Sequence, residues 1–266
     1  MTALFWLPAA FRALATALLV VSASALAEAV GPFWGALVAS LPVSAGPTYV
    51  FLSMQHDAGF VSASALASLA ANAAAGLFLI VYGLLAARMA GWKTLAVALA
   101  SWFAACLAIR QVEWSPIGAC AVNSVVYGAG FRLLSAARRA PMAVVVMKRH
   151  WLELPGRAIA VAGFVTLVVA TSSLLGAAAT GIAAVFPVSL ISLIVILRRR
   201  MGATAVAAFT ANALRPMLGF GASLLALHLV SAVWGATPGL LSALSVSLAW
   251  SVLLLLLRPR TGRRAS

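Results

Sequence analysis

Few side chains in this chain could do chemistry, and most of them fall inside long apolar stretches. The 266 residues include four acids and three histidines, against 18 Lys and Arg. The sequence has no HExxH motif, paired carboxylates, Walker motif or dinucleotide fingerprint, so its acid, base and ligand inventory is too thin for catalysis. We therefore expect binding chemistry rather than an enzyme, with no cofactor and no metal.

Arg215 is the leading candidate for a functional charge. It lies about a dozen residues into an apolar stretch, three residues after Asn212, and so on the same face of a helix. A charge at that depth costs on the order of several kcal/mol unless it faces a cavity or a partner, which favours a solute contact. The alternative is an arginine that snorkels toward the basic surface at 198–200.

Four other polar side chains could bind solute or carry protons. Asn72 and Asn212, each inside an Ala-Asn-Ala tripeptide, fit either a solute contact or a hydrogen bond between helices. Glu28, at the end of the first apolar stretch, could pair with Arg215 or exchange a proton, or could be an interfacial carboxylate. His228, deep in an apolar stretch, fits a proton relay or a hydrogen-bonded packing residue.

Pro42 and Pro187 are each expected to interrupt a helix at membrane depth. Proline lacks a backbone donor and clashes with the preceding turn, so it leaves carbonyl groups free inside the span. Interruptions at corresponding places in two halves point to a transporter binding site, whereas a simple packing kink is the alternative. The predicted solute contacts are Pro42, Asn72, Pro187, Asn212 and Arg215, and the predicted proton-coupling residues are Glu28 and His228.

The two prolines occupy one position of an internal repeat. Residues 6–44 and 151–189 align without a gap at an offset of 145, with 13 identities in 39 positions. The matches with the most information are Trp6-Leu7 with Trp151-Leu152, Arg12 with Arg157, Gly31 with Gly176, and Pro42-Val43-Ser44 with Pro187-Val188-Ser189. Further along, Asn72 matches Asn212, and Trp102 matches Trp250. Duplications of this kind are a common way to build membrane transporters.

The composition excludes a soluble domain. Hydrophobic residues make up 64% of the chain and charged residues 8%, whereas soluble proteins have about a quarter charged residues. The net charge of +14 comes from basic residues that flank apolar runs, which is typical of membrane topology and of contact with anionic lipid headgroups rather than of nucleic-acid binding. The first stretch resembles a signal peptide, but its copy at 157–176 must be retained, so residues 9–29 are predicted to be a span.

Eight apolar stretches are long enough to cross a membrane, which takes about 20 residues. Their predicted bounds are 9–29, 33–53, 60–87 and 93–111 in repeat one, and 157–175, 178–197, 203–233 and 238–257 in repeat two. Residues 116–134, between the repeats, are near the short limit for a span. If they cross, the chain has nine spans and inverted repeats; if they do not, it has eight spans and parallel repeats.

Basic loops favour the inverted arrangement. Arg198 to Arg200 follow the second span of repeat two, whereas the matching loop at 53–59 has no Lys or Arg. Between the third and fourth spans the bias reverses, with Arg88 and Lys93 in repeat one and no basic residue at 234–238. This exchange is expected if the copies face opposite ways, although basic residues kept at equivalent ends argue for parallel copies.

We therefore predict an all-α integral membrane protein with nine transmembrane helices, its N-terminus outside and its C-terminus inside. The predicted units are repeat one at 1–112, a central helix and basic linker at 113–150, repeat two at 151–258, and a basic tail at 259–266.

Each four-helix unit resembles the small bacterial GlpM-like membrane proteins. The resemblance is carried by Gly-Ala-Leu-Val-Ala-Ser-Leu-Pro at 35–42, by Gly91-Trp92 and by Ser101-Trp102. A looser similarity to small drug/metabolite transporter-type proteins lies in Leu-Ala-Glu-Ala-Val-Gly at 26–31. That similarity implies proton coupling through Glu28, although Glu28 stands late in its span and Ser173 replaces it in repeat two.

The expected function is a secondary transporter or exporter in the bacterial inner membrane. It would move a small solute, including an anionic one, by alternating access between the two repeats. The alternative is a non-catalytic membrane subunit that scaffolds an envelope or lipid-modifying complex. The expected partners are membrane lipids and a small-molecule solute, with a homodimer or a protein partner left open.

Overall fold

The computed structural model describes residues 45–139 and 153–257, together with residues 14, 15 and 18. Across the two long ranges every regular element is an α-helix. In chain order these helices are α1 (Ala45–Ser53), α2 (Ala58–Leu85), α3 (Gly91–Arg110), α4 (Pro116–Leu133), α5 (Ser135–Arg139), α6 (Glu153–Ala184), α7 (Val188–Trp234) and α8 (Ala236–Leu256).

Two glycines turn the long helices of repeat two back on themselves. Gly176 in α6 and Gly202 in α7 have φ of 74° and 81°, in the left-handed region that residues with a side chain rarely adopt. They divide α6 into arms 153–175 (α6N) and 177–184 (α6C), and α7 into arms 188–201 (α7N) and 203–234 (α7C). Each of these turns is therefore made by a single glycine instead of a loop of several residues.

Four stretches of the described chain are long and apolar enough to cross a membrane: Ala58–Leu85, Gly91–Arg110, Ala158–Trp234 and Ala236–Leu256. The 77-residue stretch contains the two glycine turns, and its parts correspond to three predicted spans of repeat two. The central helix Pro116–Leu133 has 18 residues but is not among the four. Its Asn123 and Arg132 lower its hydropathy, so its crossing stays a prediction.

Helix α2 forms the centre of the bundle and packs against α3, α4, α6 and α7. It is rich in Ala, Gly and Ser, and small residues let helix backbones approach closely inside a membrane protein. Gly181 of α6C lies against the main chain of Ser64, where a Cβ atom could not fit. Close backbone contact, more than large interlocking side chains, therefore holds α6C to α2.

Helices α2 and α7C, which correspond to the predicted third spans of the two repeats, run antiparallel. Ser62 near the start of α2 meets His228 near the end of α7C, Asn72 meets Met217 at mid-helix, and Gly83 near the end of α2 meets Thr210.

Helix α4 runs parallel to α2 at the same level. Asn123 contacts Leu69, Tyr127 contacts Gly76, and Gly130 contacts Ile80, so residue numbers rise together along both helices. The order α6C then α7N also follows α2, from Ser64 beside Ala177 to Ala86 beside Arg198.

Charge divides the two ends of the bundle. The end where α2 terminates, called the basic end, carries Arg88, Lys93, Arg132, Arg138 and Arg198 to Arg200. The opposite end, called the acidic end, carries Asp57 and Glu113, and Arg110 is its one basic residue within the described ranges.

Candidate functional site

The helix break at Pro187 lies at mid-depth in the bundle. Pro187 cannot donate to Ala183 O as a helical residue would, and the Phe186 amide donates to that carbonyl instead, at 2.9 Å. The Val188 amide turns back to Phe186 O at 2.8 Å, and a new helix, α7N, begins. The predicted interruption of the second span is therefore present in repeat two.

An aromatic cluster surrounds the break. The Phe186 ring lies 5.0 Å from the Trp102 ring and 5.5 Å from the Phe164 ring, measured between centroids. Trp102 and Phe164 each lie near the middle of their own helical arm, α3 and α6N. Phe103 completes the cluster, 6.1 Å from Phe186. The break is therefore far from both ends of the bundle.

Two buried polar atoms beside the break have no hydrogen-bond partner among the described residues. They are Trp102 Nε1 and Ser189 Oγ. The Trp102 side chain is 3% exposed, and Ser189 lies in the first turn of α7N. A buried polar group without a partner is costly, which makes these two atoms candidates for ligand contact.

A second polar feature, the asparagine layer, joins α2, α4 and α7C. Asn72 Nδ2 donates to Asn123 Oδ1 at 2.9 Å and to Met217 O at 3.2 Å. Asn123 Nδ2 donates to Leu69 O at 2.7 Å and to Ala119 O at 2.8 Å, and Tyr127 OH donates to Asn72 O at 3.0 Å. Both amide groups thus use their donors to hold helices together.

Histidine–serine contacts join the repeats at the acidic end. His228 Nδ1 donates to Ser62 O at 2.9 Å, and Ser62 Oγ donates to His228 O at 2.9 Å. His56 Nε2 lies 2.7 Å from Ser172 Oγ. Ser172 already donates its proton to Val169 O, so His56 Nε2 must be the donor in that pair.

Arg198 joins the repeats at the basic end. Its Nη1 donates to Ala86 O at 2.5 Å and its Nη2 donates to Met89 O at 2.8 Å. These carbonyls lie just beyond α2, where a helix leaves acceptors unpaired and the macrodipole favours a positive charge. Arg198 therefore fixes the C-terminal end of α7N to repeat one.

The predicted site residues do not converge on one place. Asn212 Nδ2 donates at 2.8 Å to Ala208 O of its own helix, and Arg215 is exposed on the outer surface of α7C. Arg215 is nevertheless deep in its helix, because it lies 13 residues beyond the Gly202 turn, about 20 Å along α7C. His228 is not deep in its span, because α7C ends six residues later. Pro42 and Glu28 lie outside the described residues.

Several residues of the site were missed by the sequence interpretation. Asn123 could have been noticed, because it is the one amide in the apolar central helix. Trp102 was recognised only as a repeat marker. Ser189 was recognised only as part of the repeated Pro-Val-Ser, and Arg198 only as part of a basic loop. Their contacts join segments far apart in sequence, which composition and periodicity do not reveal.

The chain is an all-helical protein whose long apolar helices suit a membrane. Within the described ranges, no group of three or more His, Cys, Asp or Glu could hold a metal ion. Comparison with known proteins finds no match: no protein-family model, no curated protein and no solved structure is recognisably similar to this chain.

Proposed function

We propose that this protein is a secondary transporter of a small solute, built from two inverted four-helix repeats around a central crossing helix. The observation that supports this proposal most directly is that α2 and α7C pack against each other in antiparallel directions. A two-fold axis in the membrane plane makes equivalent helices of the two repeats run in opposite directions. Where such a pair of helices lies on the axis, the two helices pack against each other. The mid-helix contact of Asn72 with Met217, five residues from the matched Asn212, fits such an axis.

The central helix supports the same arrangement. Because α4 runs level with and parallel to α2 from Leu69 to Gly83, it crosses wherever α2 crosses. A crossing at residues 116–134 makes the number of spans before repeat two odd, so the second copy enters the membrane from the opposite side.

Charge supplies the orientation. Basic residues collect on the cytoplasmic side of membrane proteins, and the basic end holds nearly all of those at the described bundle ends. The acidic end, with Asp57 and Glu113, then faces outward. The arrangement corresponds to an inner-membrane protein with its C-terminus in the cytoplasm.

Alternating access follows from the contacts at the two ends. The histidine–serine pairs close the repeats together at the acidic end, and Arg198 closes them at the basic end. The Pro187 break lies between these closures. Release of one set while the other holds would expose the break to one side of the membrane at a time, and the unwound backbone offers solute contacts there.

The direct test is solute flux in liposomes that contain the purified protein, with and without a proton gradient. Cysteine pairs at Ser62/His228 and at Gly91/Arg198, where a Cβ on Gly91 would lie 3.3 Å from Arg198 Cγ, would lock one end each in a background lacking Cys106 and Cys120. Each cross-link should stop flux, and reduction should restore it.

A pair at Ser231/Gly239, within repeat two, is the matched control and should leave flux unchanged. Absence of flux for every ion and organic solute tried would remove the proposal and favour a scaffolding subunit.

A further inference from the structure

We infer that the Pro187 break is a binding site for a monovalent organic carboxylate. The inference rests on the proposed function, because it names the class of solute that the break would take. It is carried by three features that meet at one place: a helix N-terminus at mid-depth, unpaired buried donors, and an aromatic wall.

The helix N-terminus supplies partial positive charge. Helix α7N begins at Val188 and runs to the basic end, so its N-terminus lies at mid-depth beside the aromatic cluster. First-turn amides of a helix have no carbonyl partner within it, and since the Val188 amide already bonds to Phe186 O, the amides of Ser189 and Leu190 are the ones left for a ligand. The macrodipole places roughly half a positive charge at this end. Such an end favours an anion.

The Trp102 indole N–H is an independent sign of a ligand. Trp250, its counterpart in repeat two, donates its indole N–H to Arg215 O at 3.0 Å. Trp102 is 3% exposed and packs against Phe186, the residue just before Pro187, yet its Nε1 has no partner among the described residues. Of the two matched tryptophans, Trp250 thus has a partner for its indole N–H, whereas Trp102 beside the break has none among the described residues.

Ser189 adds a second donor for a local reason. Serines in these helices commonly donate to a carbonyl three or four residues back, as Ser101 does to Ala98 and Ser192 does to Ser189. For Ser189 those positions are Val185 and Phe186, in the non-helical segment. The break therefore leaves the buried Ser189 hydroxyl without its usual acceptor.

The surroundings limit the charge and shape of the ligand. The described residues that line the break carry no basic side chain, and Arg215 at similar depth points to the outer surface. A helix end and two neutral donors suit one negative charge rather than the two of a phosphate. The rings of Phe103, Phe164 and Phe186 offer an apolar surface for a carbon skeleton.

The test measures binding without any gradient, using benzoate as the anion and benzamide as its neutral analogue. Protein in lipid nanodiscs is studied by equilibrium dialysis with labelled ligand. Trp102→Phe keeps the ring and removes the N–H, and Ser189→Ala removes the hydroxyl. Each should weaken benzoate binding roughly 10- to 100-fold, the effect of losing a hydrogen bond to a charged group.

Trp92→Phe and Ser245→Ala are the matched controls. Trp92 is 71% exposed, and Ser245 bonds only to its own helix. Both should bind benzoate like the unaltered protein, and a single size-exclusion peak checks that all variants are folded.

Different failures separate the two proposals. If benzoate does not bind, if benzamide binds equally well, or if both site variants bind like the controls, the carboxylate site is wrong, whether or not liposomes show flux of another solute. If benzoate binding depends on Trp102 and Ser189 while no solute is transported, the site stands and the transporter proposal falls.

Discussion

Replacing Asn72 by Ala should destabilise the protein, whereas the same change at Asn212 should not. The two residues share the tripeptide Ala-Asn-Ala and equivalent positions in the repeats. Asn72 makes two bonds to other helices, at 2.9 and 3.2 Å, while Asn212 bonds only to its own helix. The pair therefore isolates the contribution of interhelical bonding.

The structure sets the size of the effect. Interhelical hydrogen bonds in membrane proteins contribute about 0.6 kcal/mol on average and up to about 1.7. Two such bonds, plus the Asn123 carbonyl left unpaired, predict a loss of about 1 to 3 kcal/mol for Asn72→Ala. The gain of about 0.6 kcal/mol in helix propensity from Asn to Ala applies at both sites and cancels in the comparison.

The assay is reversible unfolding in mixed micelles with increasing dodecyl sulfate, followed by circular dichroism. Asn123→Ala, alone and combined with Asn72→Ala, completes a double-mutant cycle with an expected coupling of about 1 kcal/mol. Equal stability of Asn72→Ala and Asn212→Ala, or simple additivity of the changes at Asn72 and Asn123, would refute this account of the asparagine layer.

Two other substitutions, each with a control substitution, test the packing and the basic-end closure. Arg198→Gln should lower the unfolding free energy by about 1 to 3 kcal/mol, because both carbonyls that it binds lose a charged donor, whereas Arg199→Gln on the exposed side should change it little. Gly181→Ala should destabilise by about 1 to 3 kcal/mol, because its Cβ meets the main chain of Ser64. Gly163→Ala, in open space, should stabilise by about 0.5 to 1 kcal/mol. The same unfolding assay measures all four, and a neutral Gly181→Ala would contradict the close backbone contact.

Sequence reasoning succeeded where one residue determines the local structure. Pro187 breaks its helix because it lacks an amide hydrogen, and the alternation of apolar and basic segments placed α2, α3 and α7C within a few residues. These are local effects that need no knowledge of neighbouring helices.

The same reasoning could not separate residues that differ only in their neighbours. Asn72 and Asn212 have the same flanking residues, but only Asn72 finds a partner, 51 positions away in α4. Arg215 was predicted to be a solute contact, with a snorkelling arginine as the alternative. Depth in the chain does not reveal which side of a helix faces the bundle, and Arg215 is exposed. Contacts that are distant in sequence decide both cases.

The inverted arrangement depends on whether the central helix crosses, and cysteine labelling at its two ends tests this most directly. In a background lacking Cys106 and Cys120, we would place one cysteine at Glu113 or one at Ala136, both exposed positions. Ser115 is avoided because it caps α4.

An impermeant maleimide added to intact cells should label Glu113→Cys, whereas Ala136→Cys should react only after the membrane is opened. Labelling of both positions from the same side would contradict the crossing, and with it the inverted repeats.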